Sequence, residues 1–107
     1  MRLFLYNTLW RGTGLRAAGR ALVRALGSPD EDLRTIAGMF LVQAGKRGVP
    51  LLEEALAKRE TLPLILSILA DIGDEKLEPE LRQFTYDRDP VVAKAAQDAL
   101  RVLAAHR

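Results

Sequence analysis

The sequence predicts an all-α chain of stacked helical hairpins, and three observations carry that prediction. Apolar residues recur at spacings of three and four through most of the chain, the period of an amphipathic helix and not of a strand. Alanine, leucine, arginine and glutamate dominate, and all four are good helix formers. The five prolines, Pro29, Pro50, Pro63, Pro79 and Pro90, each fall at the start of a periodic segment, where a missing backbone N–H is harmless.

Turn-forming clusters divide the chain. They lie at Gly12-Thr13-Gly14, Gly27-Ser28-Pro29-Asp30, Gly45-Lys46-Arg47-Gly48, Lys58-Arg59-Glu60, Gly73-Asp74-Glu75 and Asp87-Arg88-Asp89-Pro90. The segments between them predict seven helices, near 2–10, 15–26, 29–44, 49–58, 61–72, 77–86 and 90–105. Ser28-Pro29-Asp30-Glu31 is expected to form a capping box, with the serine as cap and Pro29 in the first helical position. Asp89-Pro90 repeats the cap-plus-proline start. Gly45 and Gly73 are expected to end helices in a left-handed conformation.

The chain also repeats itself. Leu33, Ala37, Leu41 and Gly45 return 28 residues later as Thr61, Ile65, Leu69 and Gly73, and again 31 residues on as Val92, Ala96 and Leu100. Pro50 and Leu52 of the helix after the first glycine return as Pro79 and Leu81. A unit of about 30 residues holding two helices is the mark of a stacked helical repeat, because one hairpin cannot bury its own apolar face without neighbours.

Two stretches resemble the HEAT repeat family. Asp89-Pro90-Val91-Val92-Ala93-Lys94-Ala95-Ala96-Gln97-Asp98-Ala99-Leu100 looks like the first helix of such a repeat, with its Asp-Pro start, paired alanines and closing leucine. Ser28-Pro29 through Leu33-Arg34, Ala37, Leu41, Gly45 and Pro50 looks like a second copy. The short unit is similar to the HEAT-like repeats of phycobilisome lyases and many small bacterial proteins. The resemblance covers 15–105; the middle copy, 59–86, lacks the Asp-Pro and the arginine, and 1–14 match no repeat position.

The resemblance implies a right-handed α-solenoid of about three short hairpins, a single domain over 1–107 in which 1–14 cap the repeats of 15–105. It implies binding of proteins on the concave face built from the second helix of each pair. Some members are chromophore lyases and a few HEAT-like proteins are DNA glycosylases, but no catalytic residue of theirs has a counterpart here.

Composition narrows the chemistry. With 107 residues and 49% hydrophobic residues, the chain is long enough to bury a core. It contains no cysteine, which excludes disulfides, thiolate nucleophiles and the usual zinc clusters and fits a reducing cytoplasm. No apolar run reaches the ~18–20 residues needed to span a bilayer. The Arg-rich N-terminus lacks the hydroxyl residues of a transit peptide and the unbroken apolar centre of a secretory signal, so it reads as part of the mature protein. The one histidine, His106, sits next to the last residue and is expected to be solvated. Asp71, Asp74, Glu75 and Glu78 crowd one turn but lack the ligand spacing of a calcium loop. No nucleophile has a base beside it and no phosphate-loop motif is present. The expected function is non-enzymatic, without cofactor or metal.

Charge and apolar patches single out three surfaces. Five arginines precede the first acid, Asp30, so the first 29 residues carry a net +5 and the rest a net −3. Among them Arg16, Arg20 and Arg24, four apart, form one stripe and are the expected contacts for an acidic protein partner. The alternative is electrostatic binding of nucleic acid or anionic membrane through this basic third. Met1 to Arg11 holds half of the aromatic residues; Phe4, Leu9 and Trp10 are expected to cap the first repeat in preference to touching a membrane. In the last helix Val91, Ala95 and Val102 point away from the face expected to pack, which favours self-association as a homodimer.

Overall fold

Among the described residues no helix is longer than 16 residues, and isolated helices of such length are marginal in water. Each must therefore be held by what it buries and by how its ends are closed. The structure is a computed structural model that describes residues 16–106, with side chains from Gly19 onward. In chain order its α-helices are α1 (Arg16–Ala25), α2 (Glu31–Ala44), α3 (Val49–Glu54), α4 (Leu62–Ile72), α5 (Glu78–Phe84) and α6 (Pro90–Ala105). Short 3-10 turns lie at Gly45–Gly48, Ala55–Ala57, Arg59–Thr61 and Glu75–Leu77. The described residues contain no strand, as the periodicity predicts. The expected helix near 2–10, with Phe4, Leu9 and Trp10, lies outside the described residues.

The starts of α2 and α6 share one local device. Asp30 and Asp89 hold extended backbone, and each carboxylate accepts the N–H two residues on, from Asp32 and Val91, at 2.9 Å. That satisfies one of the N–H groups a helix start leaves without an intrahelical partner. A second turn is nested in front of each: Ser28 Oγ accepts the Asp30 N–H at 3.1 Å, and Asp87 Oδ2 accepts the Asp89 N–H at 2.9 Å. This corrects the expected capping box. The cap of α2 is Asp30, Ser28 serves the turn before it, and Pro29 stands outside the helix. The arginine of the second HEAT-like stretch, Arg34, donates to the Ser28 carbonyl at 2.8 Å and ties the first turn of α2 to that same loop. Lys58, at the corresponding place in the middle stretch, has the same extended backbone, φ −88° and ψ 105°, without a side-chain cap. The local bend thus persists where the aspartate does not. Pro50, Pro63, Pro79 and Pro90 all occupy the first turns of their helices.

The chain divides between Ala55 and Leu56 into two compact units. In the first, α1 packs on α2 and on α3. Leu22 of α1 and Leu26 just after it, Ala37 and Leu41 of α2, and Leu51 and Leu52 of α3 are buried. Leu33 is 39% exposed, and Ile36 and Met39 beside it are 41% and 56% exposed. One side of α2 is therefore apolar and open. The second unit is organised by α6, along which both α4 and α5 pack. Helix α4 (LPLILSILADI) is apolar on most of its circumference, and Leu62, Ile65, Leu66, Ile68, Leu69 and Ala70 are all buried, as such a helix must be. Val92, Ala96, Ala99 and Leu103 are the buried side of α6.

Two glycines and one ion pair close the turns. Gly73 ends α4 in the left-handed region (φ 81°, ψ 23°), as expected. Gly45 ends α2 at φ 65° and ψ −138°, outside the left-handed helical region and in a part of φ/ψ space open to glycine almost alone. In the second unit the Arg59 guanidinium grips Asp87 with two parallel bonds of 2.9 and 2.7 Å, tying the turn before α4 to the turn before α6. This grip and the Asp89 N–H hold the Asp87 carboxyl well below its ordinary range, at about 2.

Both features bear on stability. Gly45→Ala should lower the melting temperature more than Gly73→Ala, even though a new methyl at 45 meets nothing within 4 Å while one at 73 approaches the His106 ring to 3.0 Å. Backbone strain at 45 exceeds the ~1–2 kcal/mol of a left-handed alanine, whereas an exposed terminal ring can move. Thermal melts of both variants check the order. For Asp87, a folded pKa below the unfolded one means that the grip stabilises above the ordinary carboxylate range and is lost as pH falls through about 2. Asp87→Asn should therefore lower the urea midpoint at pH 6, and the gap from the parent should close as the titrations approach pH 2.

Candidate interaction surface

The amphipathic character of α1 dictates what it shows. Leu22 and Leu26 are buried on one side, while Arg20 and Arg24, four apart, are exposed on the other; the Arg16 side chain lies outside the described residues. Packing of α3 against α1 brings a second charged row alongside. Arg20 Nη2 reaches Glu54 Oε1 at 3.4 Å, with both side chains about half exposed, and Glu53 is exposed next to it. The arginine stripe is thus part of a mixed surface in which an acid already answers one of the cations. An exposed pair of this kind contributes only ~0.2–1 kcal/mol, so a competing carboxylate can displace Glu54 at little loss. Glu54 is not legible in the sequence as a member of this site, because it stands 34 residues from Arg20 and only the α1–α3 packing brings them together.

Along α6 the stripe of Val91, Ala95 and Val102 has charged residues beside it. Val91 is exposed and Val102 partly so, but Asp98 lies between Ala95 and Val102 at helical spacing on the same side. Lys94 Nζ donates to Asp98 at 2.7 Å and Arg101 also contacts it, which holds the Asp98 carboxyl below its usual range. Ala95, Asp98, Ala99 and Val102 line, with Ser67 and Ala70 of α4, a cavity of about 170 Å³. A twofold partner on Val91, Ala95 and Val102 would have to take a three-membered charge cluster into its interface.

The remaining chemistry-bearing residues have structural surroundings. Asp74 caps the turn before α5 by accepting the Lys76 N–H at 3.1 Å, and Glu78 lies 3.3 Å from Arg82 one helical turn on. Among the described residues no three acidic or histidine side chains are grouped to hold a metal ion, and no helix is long and apolar enough to cross a membrane. His106 is exposed, yet its ring lies against the Gly73 turn.

No family model matches the chain, and neither a curated protein nor a solved structure matches it.

The α6 stripe yields a direct test. Because desolvating the Lys94–Asp98–Arg101 cluster opposes association, light scattering at micromolar concentration should give a monomeric mass. A dimer that falls apart on Ala95→Glu with Val102→Glu, helicity retained, would reverse that reading.

Proposed function

We propose that the protein is a small helical-repeat interaction module of the HEAT-like kind, which binds a protein partner and catalyses no reaction. The observation that carries this reading is the charged surface of α1 and α3, where Arg20, Arg24, Glu53 and Glu54 stay on the outside of two helices whose apolar sides are buried. In a stack of two-helix units these are the second helices of successive pairs, the ones that line the concave face. The repeat itself is supported by local geometry: Asp30, Lys58 and Asp89, 28 and then 31 residues apart, share one extended backbone conformation. The partner that fits is a segment carrying carboxylates for Arg20 and Arg24, joined by Arg16 if the row continues, with a cation near Glu54.

A polyanion fits less well. Nucleic acid or an anionic membrane favours uncompensated basic charge, whereas here Glu54 pairs with Arg20 and acids come at once in Asp30, Glu31 and Asp32. Three arginines without interleaved aromatics also offer no stacking platform for bases.

Replacing Arg16, Arg20 and Arg24 together by glutamine should leave the helical spectrum and melting temperature nearly unchanged, since exposed charges contribute little to stability. Capture of a partner from the native host, with identification by mass spectrometry, should weaken at least tenfold for that variant. Unchanged capture would leave the arginines as a solvated face. Binding to a DNA duplex or anionic vesicles that is tight at low salt and falls steeply with added salt would favour the polyanion reading instead.

A further inference from the structure

Helices α4 and α6 pack along each other through the second unit, yet where they meet each supplies short side chains. Ser67 and Ala70 stand one turn apart on α4, and Ala95 and Ala99 one turn apart on α6. None of the four reaches far enough to fill the space between the helices. A hollow of about 170 Å³ is left, with Asp98 and Val102 completing its wall. Ala70 and Ala99 are buried and form its floor, whereas Ser67 is exposed and Ala95, Asp98 and Val102 are partly so. The hollow therefore opens to solvent.

Size and lining restrict what it can hold. A drug-sized ligand needs a cavity of roughly 300 Å³ or more, while an apolar cavity of about 150 Å³ accepts a single benzene ring. The methyl groups of three alanines and Val102 hold water poorly, so an apolar ring displaces it at a gain. The polar part is Asp98. Lys94 Nζ donates to Asp98 Oδ1 at 2.7 Å and Arg101 Nη2 donates to that same oxygen. Both cations thus stand on one half of the carboxylate, and Oδ2 accepts from no donor among the described residues. An ionised carboxylate can only accept, which calls for a donor on the ligand. Charge disfavours ions: the carboxylate in the wall opposes an anion, and the two cations already on it leave a ligand cation no net attraction. We propose that the hollow between α4 and α6 binds a small free phenol, an uncharged six-membered ring seated on the alanines with its hydroxyl donating to Asp98 Oδ2. A ring carried on a protein chain fits worse, because that chain would cover Lys94 and Arg101 and strip water from them.

The hollow lies wholly in the second unit and shares no residue with the proposed partner surface, so its test needs no partner. Amide chemical shifts of the full chain, followed by NMR during titration with phenol, should move saturably at Ser67, Ala70, Ala95 and Ala99. The Kd should be on the order of millimolar, as suits so small a ligand. Benzene should bind the same place about tenfold more weakly, the effect of losing one hydrogen bond to a charged acceptor. Asp98→Ala should erase that difference, and Ala95→Leu, which extends a side chain into the hollow, should abolish saturation by either ring. Benzoate and benzylamine should each bind more weakly than phenol. Shifts that stay linear, shifts spread over the first unit, or benzene binding as tightly as phenol would overturn the inference. So would tighter binding of N-acetyltyrosine amide than of phenol, which would place the ring on a partner chain. If the helical spectrum shows that Ala95→Leu does not fold, the ratio of phenol to benzene affinity in the parent and in Asp98→Ala decides alone.

Discussion

Short helices govern this protein. From 6 residues in α3 to 16 in α6, none gains enough from its own hydrogen bonds to offset the ordering of its backbone, so each exists because a neighbour removes its apolar side from water. The dependence is plainest in α4, which has almost no polar side to show. It is also visible in α6, whose buried valine, alanines and leucine give α4 and α5 a common surface to pack on. Small residues matter here: Ala96 and Ala99 allow backbones to come close, and the cavity at Ser67, Ala70 and Ala95 is the gap left where no larger side chain fills the crossing.

With so little held by any one helix, the turns carry much of the specification. An extended residue bends the chain at Asp30, Lys58, Asp74 and Asp89 with nearly the same dihedral angles. Three of the four use a carboxylate to satisfy a free N–H in the first turn of the next helical segment. Aspartate suits this place twice over, as a short acceptor and as a negative charge at the positive end of the helix dipole. Asp87 adds a longer reach: it serves the Asp89 N–H and takes the Arg59 guanidinium, so one carboxylate joins two turns of the second unit.

The charged surface arises from the same economy. Apolar residues are consumed by packing, and the outward sides of α1 and α3 are left with arginine and glutamate in adjacent rows. Such a surface offers direction and charge pattern rather than a cleft, which suits recognition of another chain by paired ions at modest affinity and on-rates sensitive to salt.

Much of the architecture is legible in the sequence because it depends on near neighbours. Helix positions, the prolines at helix starts, the Asp89 cap and the arginine row of α1 all derive from residues within about one turn of each other. Their physics is local sterics and the 3.6-residue period. Even there the cap of α2 falls to Asp30 and not to Ser28, whose hydroxyl accepts the Asp30 N–H instead. Relations across distance are not displayed in the sequence: Arg20 with Glu54, Arg59 with Asp87, His106 over Gly73, and the open side of α2. These depend on which helix packs on which, a choice made by summed burial over many residues rather than by any local pattern. Gly45 shows the boundary within a single residue. That a glycine should end α2 was determined by the sequence; the backbone region it occupies, where only glycine is at ease, was decided by the path the folded chain must take from α2 into α3.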